Sequence, residues 1–352
     1  MARPDKPQPP FHDLEPHRYA NNQQIAYPFH LDPERRCSLG SGRYAKVNPG
    51  IDLYAGTAVA IKMIPRVESC CEEDGFKREV KMLMKLTRLP TSSLARFCEI
   101  KDHWTTLDHF VIVFERYGED LATVLRKPRL SAIPLYQAKE ISRQLLQAVR
   151  FLHENGIIHT DLKPANVVFT NNATTTQFFY GLDNAFHQRT ILKSTEIRLI
   201  DFGSVEEDPS KCGGMTGSAG FRAPEIMMEW NWTRTVDHFA IGCIIAELVS
   251  SKPLLPVFTG RTIEDIAIMD KIIGPFPGHL KIAIQKEFPT AFENNTLSTT
   301  TQLFIESAKE VKERVQDRDA ARLISQLTNP EPDRRGDLRR HETCKFVRTF
   351  EL

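Results

Sequence analysis

The sequence predicts an α+β fold of two lobes, a small β-rich N-terminal lobe with one key helix and a larger, mainly helical C-terminal lobe. Two observations predict it. From about Arg36 to Ile112, short β-branched runs alternate with turns and are interrupted once, at Glu72 to Leu86, where apolar residues return at helical spacing. From Tyr136 to Glu154, Ile141, Leu145, Val149 and Leu152 form one apolar helical face, and Asn155-Gly156 supplies the stop. The run Phe239 to Val249 reads as a buried core helix. At 352 residues the chain is long enough for two lobes.

In order along the chain, residues 1–28 are proline-rich and polar without periodicity and read as a poorly ordered extension. Residues 29–117 form the first lobe and its connection, and residues 118–352 the second lobe. The Thr-rich stretches Asn171 to Thr176 and Leu297 to Thr301 read as solvated loops.

Composition excludes several classes of function. Lys+Arg number 46 against 45 Asp+Glu, so no global basic field draws the chain to nucleic acid or a membrane surface. The seven cysteines, with Cys70 and Cys71 adjacent, form neither a paired framework nor a CxxC ligand set, which suits structural thiols in a reducing compartment. Met1 to Pro10 lacks the apolar core of a secretory signal, and Phe239 to Val249 falls short of the roughly 20 residues that span a bilayer. The expectation is an intracellular protein with no direct nucleic-acid partner and no membrane.

Five elements carry chemistry. Leu39-Gly40-Ser41-Gly42-Arg43-Tyr44-Ala45-Lys46-Val47 is a glycine-rich turn between strand-like runs, where missing side chains let backbone N–H groups approach phosphates. Alone it could equally be an ordinary hairpin. Val59-Ala60-Ile61-Lys62 places a lysine in a strand-like run, and Glu79 in the following helix could reach it, although each taken alone reads as a solvated surface charge. His159-Thr160-Asp161-Leu162-Lys163-Pro164-Ala165-Asn166 follows the helix that ends near Gly156. Phosphoryl transfer needs a carboxylate to orient a hydroxyl and take its proton, which suits Asp161; Asn166 can ligate a metal ion and Lys163 neutralise phosphate charge. Ile197 to Gly203 is an apolar strand ending in Asp201-Phe202-Gly203, which offers a hard cation an oxygen ligand. Phe221-Arg222-Ala223-Pro224-Glu225 then closes a loop of about twenty residues suited to a substrate-facing segment.

In this order the elements resemble the protein-kinase family over roughly residues 36 to 350. The resemblance implies the bilobal protein-kinase fold with ATP and Mg²⁺ as cofactors. It implies Asp161, Lys163, Lys62 and Glu79 as catalytic residues, and Asn166 and Asp201 as metal ligands. Nucleotide binding falls to Leu39, Gly40, Ser41, Gly42 and Lys62, to Val47 and Ala60 above the base and Val168 below it, to Phe114 as gatekeeper, and to a hinge from Glu115 to Tyr117. For the apolar members of this set, plain core packing is the alternative reading. Asp237 matches the buried aspartate that anchors the family's catalytic loop.

Three features resemble the LAMMER (CDC-like, dual-specificity) branch: Thr160 where most kinases carry arginine, the long stretch between Asn166 and Asp201, and Glu264 to Pro277, similar to the LAMMER signature helix and its Gly-Pro turn. An insert near residues 257–320 belongs to this resemblance. Ala45 replaces the third loop glycine, Ala165 a glutamate that holds substrate arginine, and Ala219, Gly220 and Phe221 a larger polar pair and a tyrosine, which puts preference for Arg-rich substrates in doubt. Ser218 keeps the hydroxyl that contacts the catalytic aspartate, and Thr160 removes the arginine that clasps an activation-loop phosphate. The expected function is Ser/Thr phosphorylation of protein substrates, with Tyr autophosphorylation and Arg/Ser-rich splicing-type substrates implied by the branch. A monomer in the nucleus or cytoplasm is expected. The rival readings are a pseudokinase scaffold, which predicts loss of Lys62, Asp161, Asn166 or Asp201, and a small-molecule kinase, which lacks an Ala-Pro-Glu segment.

Overall fold

A computed structural model describes residues 17–18, 24–25, 29–31, 38–41, 45–66, 70–88, 96–128, 130, 133–180, 185–256, 262–293 and 296–348. The chain divides into two compact units, Met1–Lys85 with Cys98–Arg116, and Leu86–Phe97 with Tyr117–Leu352.

In the first unit, β1 (His17–Arg18) and β2 (Gln24–Ile25) pair antiparallel within the stretch expected to lack order. The main sheet is built from β3 (Phe29–Leu31), β4 (Gly40–Ser41), β5 (Lys46–Asp52), β6 (Thr57–Pro65), β7 (Ile100–Thr105) and β8 (His109–Glu115), ordered β3-β5-β6-β8-β7 with β4 on β5. Register decides what each face carries. Val47 stands opposite Lys62, and Ala60, Lys62 and Ile64 stand opposite Phe114, Ile112 and Phe110. The period of two therefore gathers these residues on one face, and Val59, Ile61, Val111 and Val113 on the other. The second set packs with Phe29 and Trp104. On the first face Ile64, Phe110 and Ile112 pack against Phe76 of helix α1 (Cys70–Leu86).

The second unit is mainly helical. It holds α2 (Leu121–Arg126), α3 (Leu135–Glu154), α4 (Pro224–Met227), α5 (Thr235–Ser250), α6 (Thr262–Ile272), α7 (Gly278–Glu287), α8 (Thr299–Ser307), α9 (Val311–Arg314), α10 (Arg318–Leu327) and α11 (Leu338–His341). The expected face of α3 is buried: Ile141, Leu145, Val149 and Leu152 are fully inaccessible. Its end is closed by Gly156, whose φ of +72° few other residues adopt cheaply. Helix α5 is mainly apolar because it is buried along most of its length, and at Gly242 it approaches α10 so closely that a Cβ would stand 2.6 Å from the Thr328 Cγ2. Cys98, Cys212 and Cys243 are buried free thiols, and burial pushes the Cys243 thiol up.

Strands β9 (Val167–Phe169) and β12 (Ile197–Leu199) pair antiparallel, and the long stretch between them folds as a hairpin, β10 (Thr174–Tyr180) with β11 (Phe186–Leu192). Both Thr-rich stretches depart from expectation. Thr174 to Thr176 begin β10, because β-branched residues suit a strand once a partner is present. Ser298 caps α8, in which Thr301 is buried, and Leu297 is buried beside it. What holds them is Glu264 of α6, whose buried carboxylate accepts the Thr301 hydroxyl at 2.6 Å and the Ser298 hydroxyl and N–H at 3.1 and 3.2 Å. Among the described residues no helix is long and apolar enough to cross a membrane.

Candidate active site

In the first unit the chemistry centres on one ion pair. Lys62 Nζ donates to both carboxylate oxygens of Glu79, at 2.9 and 2.7 Å. The lysine sits mid-strand on the face that α1 covers, and one turn of α1 presents Glu79, 98% buried, to meet it. A buried carboxylate needs such a partner. Val47, Ala60 and Phe114 lie on the same sheet face, each half-buried, and form an apolar strip beside an ammonium. Leu39 and Glu115 are exposed. Gly40 and Ser41 form β4 and pair with Val47 and Lys46; Gly42 lies outside the described residues.

In the second unit, the segment after α3 wraps around Asp161. Its carboxylate accepts the Lys163 ammonium at Oδ2 (2.7 Å) and the Ser218 hydroxyl at Oδ1 (2.7 Å), while Lys163 Nζ also donates to Ser218 Oγ at 2.8 Å. Thus Lys163 and, through a 3.3 Å bond to Oδ2, Asn166 on the same loop, with Ser218 57 positions away, fix the rotamer of a single carboxylate. Asn166, in the 3₁₀ turn Pro164–Asn166, donates its amide to the Asp161 carbonyl at 2.8 Å. That bond leaves the Asn166 carbonyl oxygen as an acceptor for another group. The Ile200 N–H bonds the Asn166 backbone carbonyl, tying the loop to the strand that delivers Asp201.

The loop is held from beneath by Asp237 of α5. It accepts the backbone N–H of His159 at 2.8 Å and of Thr160 at 2.9 Å, and shares a 2.8 Å bond with His153 Nε2. Burial opposes its ionisation, but the His153 hydrogen bond, the charges of His153 and His159 and the His159 N–H hold the carboxyl below its ordinary value. Asp237 thus does what its position in the sequence implies.

Backbone strain collects here. Thr160 (φ +68°) and Asp201 (φ +65°) are two of the four non-glycine residues at positive φ among the described residues. Phe202, fully buried, packs edge-on against Phe97 with ring centres 6.0 Å apart and lies 5.4 Å from the His159 ring, which fixes the residue next to Asp201.

The segment from Ser204 to Glu225 is closely tied to this loop. The Thr160 hydroxyl donates to the Ser204 carbonyl at 2.7 Å, Ile158 and Glu206 exchange two backbone hydrogen bonds of 2.9 Å, and Arg222 donates to the carbonyls of Thr216 and Gly217. At its far end Glu225 forms a buried two-pronged pair with Arg335, at 2.6 and 2.7 Å. Sequence reading alone missed the roles of His153, Arg222 and Arg335. The only available signal was that Glu225, once buried, would need a cation, and nothing in the chain pattern points 110 residues ahead to Arg335.

Val168 is buried in β9, and Tyr117 lies beneath the Arg198 guanidinium, 5.9 Å from the ring centre. Among the described residues no group of three or more His, Cys, Asp or Glu could hold a metal alone. A carboxylate and an amide oxygen from Asp201 and Asn166 suit Mg²⁺, which takes one or two protein oxygens and fills its shell with phosphate and water. The donor set therefore fits that ion.

The family description "Protein kinase domain" matches residues 34–345. The dual specificity protein kinase CLK2 of Mus musculus is 32% identical over 254 residues, 71% of this chain and 50% of that protein. The serine/threonine-protein kinase Doa of Drosophila melanogaster is 31% identical over 240 residues, 68% of this chain and 28% of that protein. The serine/threonine-protein kinase AFC1 of Arabidopsis thaliana is 31% identical over 251 residues, 69% of this chain and 52% of that protein. The chain thus spans about half or less of the length of these three relatives. The crystal structure of another kinase domain superposes with a TM-score of 0.81 at 19% identity, covering 94% of this chain and 98% of that one, which establishes the fold. With its LAMMER-like helix at Glu264 and relatives of the CLK, Doa and AFC type, this chain belongs to the protein kinase family.

Proposed function

We propose that the chain is an active LAMMER-like kinase that transfers the γ-phosphoryl group of ATP to serine or threonine hydroxyls of protein substrates. The observation that carries this reading is the Asp161 carboxylate, oriented by Lys163 and Ser218 and left with lone pairs for an incoming hydroxyl. In the reaction Asp161 orients the hydroxyl and takes its proton, while Lys163 faces the charge that develops on the transferring group. Lys62, braced by Glu79, positions the α- and β-phosphates. Asp201 and Asn166 would hold Mg²⁺, which would supply neutralisation of the nucleotide's phosphate charge. Leu39, Gly40, Ser41, Gly42, Val47, Ala60, Phe114, Glu115, Tyr117 and Val168 bind the nucleotide in this reading.

Activity without loop phosphorylation is part of the proposal. Where an arginine would need a phosphate to hold the segment, Thr160 holds Ser204 by a neutral hydrogen bond. Arg/Ser-rich protein substrates, a monomeric state and an intracellular, nuclear or cytoplasmic site extend the same reading.

The test is Mg²⁺-ATP-dependent phosphorylation of an Arg-Ser repeat peptide and a neutral Ser peptide by phosphatase-treated protein, beside Asp161→Asn. Transfer that disappears in the variant supports the reading. ATP binding with no transfer to either peptide replaces it with the scaffold reading.

A further inference from the structure

A separate pocket of about 240 Å³ opens in the helical unit, and its polar lining is Arg150, His153 and Glu154 of α3, Arg234 and His238 at the start of α5, and Asp337 and Arg339 at α11. Of these only His153 belongs to the site described above, through its bond to Asp237. Three guanidinium groups face two carboxylates, so the lining carries an excess of positive charge before its histidines are counted.

The hydrogen-bond capacity of those guanidinium groups is only partly used. Arg150 donates through Nε to Glu342 and through Nη1 to Glu154. Arg339 donates through Nε and Nη2 to the same Glu154 oxygen, at 3.1 and 2.8 Å. Glu154 Oε1 thereby takes three donors and Oε2 one, and the Arg150 and Arg339 pairs around it hold each other in place; its carboxyl is kept below its ordinary value chiefly by the Arg339 bond. Among the described residues Nη2 of Arg150, Nη1 of Arg339 and every donor of Arg234 bond nothing. Arg234 is exposed at the rim.

His238 is a further wall residue of the pocket. His238 is 97% buried, yet its Nδ1 has no hydrogen-bond partner. A buried polar atom left unpaired costs about 1–3 kcal/mol and in most folded chains finds a partner.

Three guanidinium groups from three segments of the chain, each with unused donors, suit an acceptor with three or more oxygens. A planar carboxylate offers two; a tetrahedral oxyanion offers three or four. An apolar ligand finds little here beyond Leu338, and a cation meets the wrong sign. We propose that this pocket binds a phosphate monoester, its oxygens seated on Arg150, Arg234 and Arg339 and against His238. The ligand is either a free phosphate compound or a phosphorylated side chain of another protein segment.

The pocket also touches the catalytic loop through one intermediary. The His153 ring stacks on His238 with centres 5.4 Å apart and 21° between planes, and its Nε2 bonds Asp237, which holds the N–H groups of His159 and Thr160.

The test uses the full chain with its nucleotide site saturated by Mg²⁺ and a non-hydrolysable ATP analogue. Inorganic phosphate, a phosphoserine peptide and its unphosphorylated twin are titrated by calorimetry into wild type, Arg234→Ala and Arg234→Glu. Saturable binding of phosphate or phosphopeptide with a Kd of about 1 mM or tighter, weakened roughly tenfold by Arg234→Ala and further by Arg234→Glu, is expected. A phosphopeptide that binds at least about tenfold more tightly than phosphate identifies a phosphorylated protein as the ligand, and equal affinities a free phosphate compound. No saturable binding below about 10 mM, or affinity equal in wild type and both variants, overturns the proposal. Circular dichroism of the variants confirms that the exposed position does not disturb folding.

Discussion

Gly217 lies so close to Thr160 that a Cβ placed on it would stand 2.7 Å from the Thr160 carbonyl oxygen. Its φ of +69° is a second reason for glycine there. This contact seats the residue before Ser218, and Ser218 in turn fixes Asp161. Gly217→Ala must shift backbone against backbone, so it should lower kcat/KM for a peptide substrate by roughly tenfold to a hundredfold while far-UV circular dichroism stays unchanged. Wild-type turnover in this variant would show that the contact does not position Ser218.

The Lys62–Glu79 pair gives a different signature. Glu79→Gln keeps the size and one acceptor but removes the charge that holds the ammonium in place. The expected outcome is a KM for ATP raised several-fold and a kcat lowered roughly tenfold or more, with peptide KM little changed. Steady-state kinetics with each substrate varied in turn checks it.

His238 makes stability depend on pH below neutrality. Burial, with the charge of His153 next, pushes its imidazole down to about 3; Asp237 opposes this, and His341 and Arg335 add to it. Because the folded pKa lies below the unfolded value, the unfolded chain binds the extra proton, and stability is lost as pH falls beneath about 6.5. The loss from this group between pH 7 and pH 5 should be about 2 kcal/mol. His341, also pushed down by burial against its bond to the Arg335 carbonyl, acts in the same direction. Urea midpoints at both pH values should differ less in His238→Val than in wild type; an identical difference would refute the assignment.

Gly242 separates packing from catalysis. An added methyl meets Thr328 Cγ2 at 2.6 Å and Leu327 Cβ at 3.0 Å, so Gly242→Ala overpacks the α5–α10 contact. The helix-propensity gain of about 1 kcal/mol offsets part of an overpacking cost of about 1–3 kcal/mol. The melting temperature should fall by a few degrees, read by calorimetry, with activity at 25 °C retained.

Periodicity and spacing in the sequence determined a great deal. The apolar faces of α3 and α5, the helix that carries Glu79, and the ordering of Lys62, Asp161, Asn166 and Asp201 all follow from local pattern, because burial selects side chains at the period of the element that carries them. The pairings Lys62–Glu79 and Asp161–Ser218 were legible only through the protein-kinase resemblance, which implies both contacts; residue type and order alone read Glu79 as a helix-surface glutamate. Tertiary structure alone decided that Thr174 to Thr176 enter a strand and that Thr299 to Thr301 begin a helix, because a cross-strand partner and the buried Glu264 carboxylate outweigh the solvated-loop preference of threonine. It also decided which distant residues satisfy buried charge. Arg335 for Glu225 and His153 for Asp237 come from 110 and 84 positions away, and local sequence holds no record of such distances because the demand for a partner arises only once the carboxylate has left water.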